Sequence, residues 1–123
     1  MAKAKPIFWM GSSKRDLKAA HKEIQRRFGF ALWEVQLGRH PDQAKRLRGF
    51  GSGILEIREQ YEGDAYRAVY CVRFEKAVYV LHVFKKKSKQ GTKTPKPDLA
   101  LITRRLQAAE ADYAEQKKKE NPS

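Results

Sequence analysis

Apolar residues recur at helical spacing in the first third of the chain. Residues 6–10 predict a short first strand that ends at a glycine. Ser12 or Ser13 can cap a following helix, and Gly29 separates that helix from a second apolar segment, residues 30–37. Two helices joined at Gly29 and one kinked helix fit this pattern equally well. The apolar positions of the first segment are spaced three, four and four residues apart: Leu17, Ala20, Ile24 and Phe28.

The middle of the chain alternates apolar and polar residues in three segments. Residues 54–60, 65–74 and 77–86 have the period of half-buried strands. Residues 61–64 form a turn between the first two, and Glu75-Lys76 forms a tight turn between the last two. Because both connections are short, the segments predict an antiparallel β-meander.

The pattern returns to helical spacing near the end of the chain. Thr94-Pro95 is typical of a helix cap followed by the first turn. We expect residues 115–123 to form a frayed tail and residues 38–53 to form a basic connection. The predicted fold is therefore α+β: an N-terminal strand and helical hairpin, an antiparallel meander and a C-terminal helix. The last helix has one apolar stripe: Leu99, Ile102, Leu106, Ala109 and Tyr113.

Length and charge narrow the class of protein. A chain of 123 residues predicts one domain, residues 1–123. Its 27 basic and 14 acidic residues give a net charge of +13, which favours nucleic acid or an acidic protein as partner. No apolar run reaches the ~20 residues that span a bilayer, and the first residues lack the apolar region of a signal peptide, so we expect a cytoplasmic protein without a membrane partner. Cys71 is the only cysteine, which excludes an intrachain disulfide and a cysteine-rich zinc site.

Strand pairing sorts the meander into two faces. The turn at residues 61–64 pairs Arg58 with Arg67, and the turn at Glu75-Lys76 pairs Arg67 with Phe84. One face is apolar and is expected to pack on the helices: Leu55, Ile57, Ala68, Tyr70, Val72, Leu81 and Val83. The other face collects charged and titratable residues: Glu56, Arg58, Arg67, His82 and Lys86.

Two interpretations of the charged face remain open. Like charges directly opposite each other are unfavourable in a sheet, so the arginine pair requires either neighbouring carboxylates or an absent polyanion. Glu56 and Glu59 can make the face a salt-bridged surface, and a phosphate can make it a binding site. Trp9 and Trp33 fall in apolar patterns and are assigned to the core.

Several strings in this order of elements resemble one known family. They are Leu-Glu-Ile-Arg ending at Arg58, Tyr-Arg ending at Arg67, and Phe-Lys-Lys-Lys-Ser at residues 84–88 followed by Thr94-Pro95. Together they resemble the RelE/HigB superfamily of toxins of type II toxin–antitoxin systems, and within it the phage-Gp49-like branch.

The resemblance implies a function and a site. It implies a RelE-like toxin that cleaves mRNA, in many members only when the mRNA occupies the ribosomal A site, and a cognate helix-turn-helix antitoxin. The family's strand arginine falls on Arg67 and its preceding basic residue on Arg58. The basic residues that close the last strand fall on Lys85, Lys86 and Lys87.

RNA cleavage suits these residue types because the 2′-hydroxyl of the RNA is the nucleophile, so neither a protein nucleophile nor a metal or other cofactor is expected. Arg67 and Arg58 are candidates for phosphate binding. Lys86 is the first candidate for the base, and His82 and Glu56 are further acid–base candidates. No counterpart of the superfamily's C-terminal tyrosine or histidine is found, so the general acid is not assigned. Expected RNA contacts, to mRNA and ribosomal RNA, are Lys45, Arg46, Arg48, Lys89 and Lys93.

Two alternatives stay open beside this hypothesis. One is a ParE-like toxin that targets DNA gyrase without cutting RNA, since that activity occurs on the same fold. The other is a plain nucleic-acid-binding module. A gyrase-directed toxin would cause DNA damage and leave mRNA intact. A plain binding module would show neither toxicity nor mRNA cleavage.

Overall fold

The described residues form one five-stranded sheet in the order β1-β5-β4-β3-β2. The computed structural model describes residues 3–86 and 93–120. β1 pairs parallel with β5, and the other neighbours are antiparallel. The α+β prediction is therefore confirmed. The elements are β1 (Ile7–Trp9), α1 (Ser13–Ala19), α2 (Lys22–Gln36), β2 (Ala44–Arg46), β3 (Ile54–Tyr61), β4 (Asp64–Cys71), β5 (Val78–Lys86) and α3 (Lys96–Glu120).

The β3–β4 hairpin has the predicted register. Arg58 pairs with Arg67, and pairing continues to Tyr61 and Asp64. The connection is therefore a two-residue turn at Glu62-Gly63. Both turn residues have positive φ, 50° and 82°, as a type I′ turn requires. Such a turn matches the twist of the flanking strands and holds the register that places the two arginines together.

The predicted two-residue turn between β4 and β5 is wrong. β4 ends at Cys71 and β5 begins at Val78, so six residues connect them. Val69 pairs with His82 but Tyr70 pairs with Val80, which leaves Leu81 as an extra residue in β5. This bulge turns Leu81 to the face opposite the predicted one. Beyond the bulge, the expected pairing of Arg67 with Phe84 is present.

The N-terminal helices separate at Ala20-His21 and not at Gly29. Ala20 is extended (ψ 165°), and the His21 ring accepts a hydrogen bond from the Glu23 amide at 3.1 Å, which caps α2. The Gln25 side chain donates to two carbonyls at the end of α1. These local hydrogen bonds decide the break, and Gly29 lies within α2.

Three further expectations are corrected. The basic connection contains β2, which pairs with β3. The tail expected to fray is helical up to Glu120, where α3 ends, and residues 121–123 lie outside the described part of the chain. Trp33 is not in the core, because 49% of it is exposed on α2, whereas Trp9 packs against the core.

Helices cover the two faces of the sheet unequally. α1 and α2 pack on one face, and α3 packs on the other over β5. Among the described helices, none is long and apolar enough to cross a bilayer. The α2 side contributes Ile24, Phe28, Leu32 and Val35, against Ile57, Ala68, Tyr70 and Val80 of the sheet. The α3 side contributes Ile102, Leu106 and Ala109, against Val69, Tyr79 and Leu81.

We predict that Glu62→Asn stabilises the protein. Glu62 holds a left-handed conformation that costs a non-glycine residue about 1–2 kcal/mol, and asparagine tolerates it better. Urea unfolding should show a gain of about 0.5–1 kcal/mol in the free energy of unfolding. Glu62→Ala removes the same charge but keeps the strained conformation, so it should show no such gain. An equal gain in both variants would mean that charge, and not backbone conformation, limits this turn.

Candidate functional site

A buried carboxylate organises the charged face of the sheet. Glu56 on β3 is only 1% exposed. Its Oε1 accepts hydrogen bonds from Arg67 Nη1 at 2.7 Å and from Arg58 Nε at 3.1 Å. Its Oε2 accepts a hydrogen bond from Thr94 Oγ1 at 2.8 Å. One side chain thus joins β3, β4 and the segment that leads into α3.

The two arginines differ in their access to solvent. Arg67 on the central strand β4 is 6% exposed, whereas 34% of the Arg58 side chain is exposed. Arg67 Nε is buried and has no hydrogen-bond partner in the described part of the chain. A buried donor without a partner lowers the free energy of unfolding by about 1–3 kcal/mol, so native proteins retain few of them. The predicted convergence of the arginines is present, but only Arg58 lies at the surface.

Lys86 belongs to the same cluster. Its side chain is buried at the end of β5, beside Ala65 of the neighbouring strand. Burial lowers the pKa of Lys86 most, the nearby positive charges of Arg67 and Arg58 lower it further, and Glu56 opposes them. The lowered pKa of Lys86 increases the fraction of its amine that is neutral at a given pH, and only the neutral amine can accept a proton.

Lys85 does not add to this cluster. Strand alternation turns Lys85 to the opposite face, where its Nζ lies 2.9 Å from Asp64 Oδ2. That ion pair raises the pKa of Lys85. Lys87 and Lys89 lie outside the described residues.

An open groove of about 600 Å³ lies next to the cluster. Arg58 connects the groove to Glu56 and Arg67. The groove is lined by basic residues predicted to contact RNA, on β2, after β2 and at Lys93, together with Thr94. A second depression, of about 500 Å³, shares the β2 residues. The groove residues are Lys45, Arg46, Leu47, Arg48, Arg58, Lys93, Thr94 and Leu99.

His82, an acid–base candidate, lies at the contact between α3 and β5. It is buried, and its Nε2 lies 2.7 Å from Asp98 Oδ1 of α3. Its Nδ1 lies 3.4 Å from Arg105 Nη1, and its ring stacks on Phe84. Both ring nitrogens thus face protein partners, so His82 anchors α3 to β5.

Thr94, Asp98 and Arg105 are the residues that sequence reasoning missed. The sequence predicts Thr94 as a helix cap, but α3 begins at Lys96 and the Thr94 hydroxyl donates to Glu56. Arg105 donates to the Leu81 carbonyl at 3.0 Å and to Ser12 Oγ at 2.9 Å. The contacts of these three residues span at least 16 positions of the sequence, and local sequence carries no signal for such pairings. Among the described residues, no group of acidic, histidine or cysteine side chains is arranged to hold a metal ion.

The fold is similar to that of a known toxin. The structure of E. coli toxin RelE, solved in the free state as a mutant with two arginines changed to alanine, matches with 22% identity and a TM-score of 0.55 over 71% of this chain and 88% of that chain. The toxin–antitoxin complex RelBE2 from Mycobacterium tuberculosis matches with 20% identity and a TM-score of 0.49 over 68% of this chain and 100% of that chain. No curated protein matches. The first likeness establishes a RelE-like fold.

A family model fixes the affiliation more closely. The model described as Phage derived protein Gp49-like (DUF891) matches residues 15–107, which is more than half of the chain. The chain therefore belongs to the Gp49-like family. This confirms the resemblance to the RelE/HigB superfamily of toxins and to its Gp49-like branch.

We predict that Glu56→Ala destabilises the protein strongly. The substitution leaves the buried Arg67 without its carboxylate, which typically costs about 3–5 kcal/mol. The matched control is Asp64→Ala, which breaks the exposed pair with Lys85 and should cost no more than about 1 kcal/mol. Chemical unfolding of both variants gives the comparison. If both variants lost the same small amount of unfolding free energy, Glu56 would not be the residue that holds the cluster together.

Proposed function

We propose that this Gp49-like protein is the toxin of a type II toxin–antitoxin system and cleaves mRNA on the ribosome. One observation carries the proposal. Arg58 and Arg67 both bind Glu56 beside a groove lined by further basic residues, and Lys86 lies on the same face of the sheet at the end of β5. Two arginines share a single carboxylate, and further basic residues line the adjoining groove, so this face carries an excess of positive charge that a phosphate can balance.

The chemistry that fits these residues is attack of a 2′-hydroxyl on the adjacent phosphate. The oxygen–phosphorus bond forms as the bond to the 5′-oxygen breaks, which leaves a 2′,3′-cyclic phosphate and a 5′-hydroxyl. The protein has to accept the 2′ proton, stabilise the added charge on phosphorus and supply a proton to the leaving oxygen.

The arginines have different parts in this proposal. Arg58 is exposed at the groove, and its guanidinium contacts the phosphate oxygens. Arg67 lies behind it at 2.7 Å from Glu56 and contributes a fixed positive charge from the interior. A preorganised charge in a water-poor site stabilises a transition state without reorganising at the moment of reaction.

Lys86 is the proposed base. Its lowered pKa increases the fraction of neutral amine that can accept the 2′ proton. Glu56 is sealed by three hydrogen bonds, and His82 is held between Asp98 and Arg105, so neither is assigned this step. The general acid is not assigned to any residue.

The groove beside the cluster is the proposed contact for the rest of the RNA. Lys45, Arg46, Arg48 and Lys93 would bind phosphates of the mRNA and of ribosomal RNA, and this binding should weaken steeply with salt. The proposed partner protein is a helix-turn-helix antitoxin, and the proposed location is the cytoplasm, where mRNA and ribosomes are found.

We predict that Arg58→Ala abolishes most mRNA cleavage while the protein stays folded. Loss of one preorganised donor to developing charge costs about 10²–10³ in rate. Primer extension on mRNA after brief expression should map cuts for the wild type and few for the variant. The control is Arg26→Ala, because Arg26 is an exposed arginine of α2 on the other side of the sheet.

Either of two results would contradict this proposal. One is that Arg58→Ala cuts ribosome-bound mRNA as fast as wild type. The other is that the wild type arrests growth with intact mRNA and damaged DNA, which is the outcome of a gyrase-directed toxin.

We predict that Lys86 controls the pH dependence of cleavage. A base must be neutral, so the rate should rise tenfold per pH unit below the pKa of Lys86, which lies under the ordinary 10.5, and level off above it. Lys86→Arg keeps the positive charge but stays protonated, so it should lose about 10²–10⁴ in rate together with this rise. Single-turnover cleavage across pH tests this, with Lys22→Arg on α2 as the control. An unchanged profile in Lys86→Arg would assign the base elsewhere.

A further inference from the structure

The hydrogen bond between Thr94 and Glu56 links the groove wall to the arginine pair. Thr94 lines the groove and is partly buried. Its Oγ1 donates to Glu56 Oε2 at 2.8 Å, across 38 residues of sequence. The other oxygen of the same carboxylate, Oε1, accepts from both Arg58 and Arg67. The two oxygens of Glu56 therefore bind groups that belong to different parts of the site.

This arrangement ties the orientation of the carboxylate to Thr94. A glutamate carboxylate that is held at only one of its oxygens can rotate about the Cγ–Cδ bond. A donor on Oε2 fixes that rotation, and it thereby fixes the direction in which Oε1 meets the two guanidinium groups. Because both arginines bind the same oxygen, any rotation of Glu56 shifts them together.

We propose that Thr94 is a positioning residue of the cleavage site, which acts through Glu56 to fix the directions of Arg58 and Arg67. The inference rests on the proposed function. It adds a residue that contributes no charge and that composition or charge pattern would not single out. Thr94 itself need not contact the reacting atoms.

A second contact separates this role from a merely structural one. Asp98, four residues further along, lies 2.7 Å from the buried His82 and so holds the start of α3 to β5 independently. Loss of the Thr94 hydroxyl should therefore leave α3 docked and the basic residues of the groove in place. RNA binding and chemistry should then respond differently to the substitution.

The test is Thr94→Val, which keeps the shape of the side chain and removes its donor. In single-turnover cleavage of mRNA on programmed ribosomes, we expect the saturating rate to fall about 10- to 100-fold, since a displacement of about 1 Å in a catalytic site has effects of this size. The half-saturating concentration should stay within about threefold. Thr94→Ser restores the donor and should restore the rate.

The matched control is Thr103→Val. The Thr103 hydroxyl donates to the Leu99 carbonyl within α3 and not to Glu56. This variant therefore loses a threonine hydroxyl without changing the hydrogen bonds of Glu56. It should cleave as the wild type does. Thermal unfolding of both variants excludes a loss of folded protein as the cause of a slower rate.

An independent measurement needs no activity. The Nε–Hε NMR signals of Arg58 and Arg67 in the RNA-free protein should both move in Thr94→Val and return in Thr94→Ser. An unchanged saturating rate, a failed rescue by serine, or unmoved arginine signals would overturn the proposal. A wild type that cuts no mRNA would instead refute the proposed function, while the NMR comparison would still decide the role of Thr94.

Discussion

The structure of this site depends on one buried ion pair, between Glu56 and Arg67. Removing both charges from water is costly, and the pair is tolerated because further donors complete the coordination of the carboxylate. The central position of β4 keeps Arg67 away from solvent, so its charge depends on the carboxylate of Glu56 for compensation. The position of Arg58 and the attachment of Thr94 follow from this constraint.

Unequal covering of the two faces of the sheet creates room for a site. α1 and α2 cover one face with an apolar core, whereas α3 covers the other face over β5. The contacts of His82 and Arg105 hold α3 there. The charged residues of β3 and β4 therefore lie next to an open groove. Gathering like charges lowers stability, and functional sites commonly retain such arrangements for activity.

Much of the fold was predictable from local pattern, and so was part of the candidate site. Alternation in β3 and β4 with a short turn sufficed to pair Arg58 with Arg67. The second hairpin was predicted with a wrong turn, yet the pairing of Arg67 with Phe84 was correct, because the bulge at Leu81 compensates for the longer connection. The break between α1 and α2 was misplaced because side-chain caps at His21 and Gln25, and not the flexible Gly29, decide it.

The sequence by itself determined the periods of the elements, the excess of positive charge and the family, because these depend on residue type and on neighbours in the chain. Only the tertiary structure decided which cations belong together: it buried Arg67 and Lys86, left Arg58 at the surface and turned Lys85 to the other face. It also gave Thr94 a partner 38 residues away. The physical reason is that burial and long-range hydrogen bonds are set by how whole elements pack, and a linear pattern carries no measure of those distances.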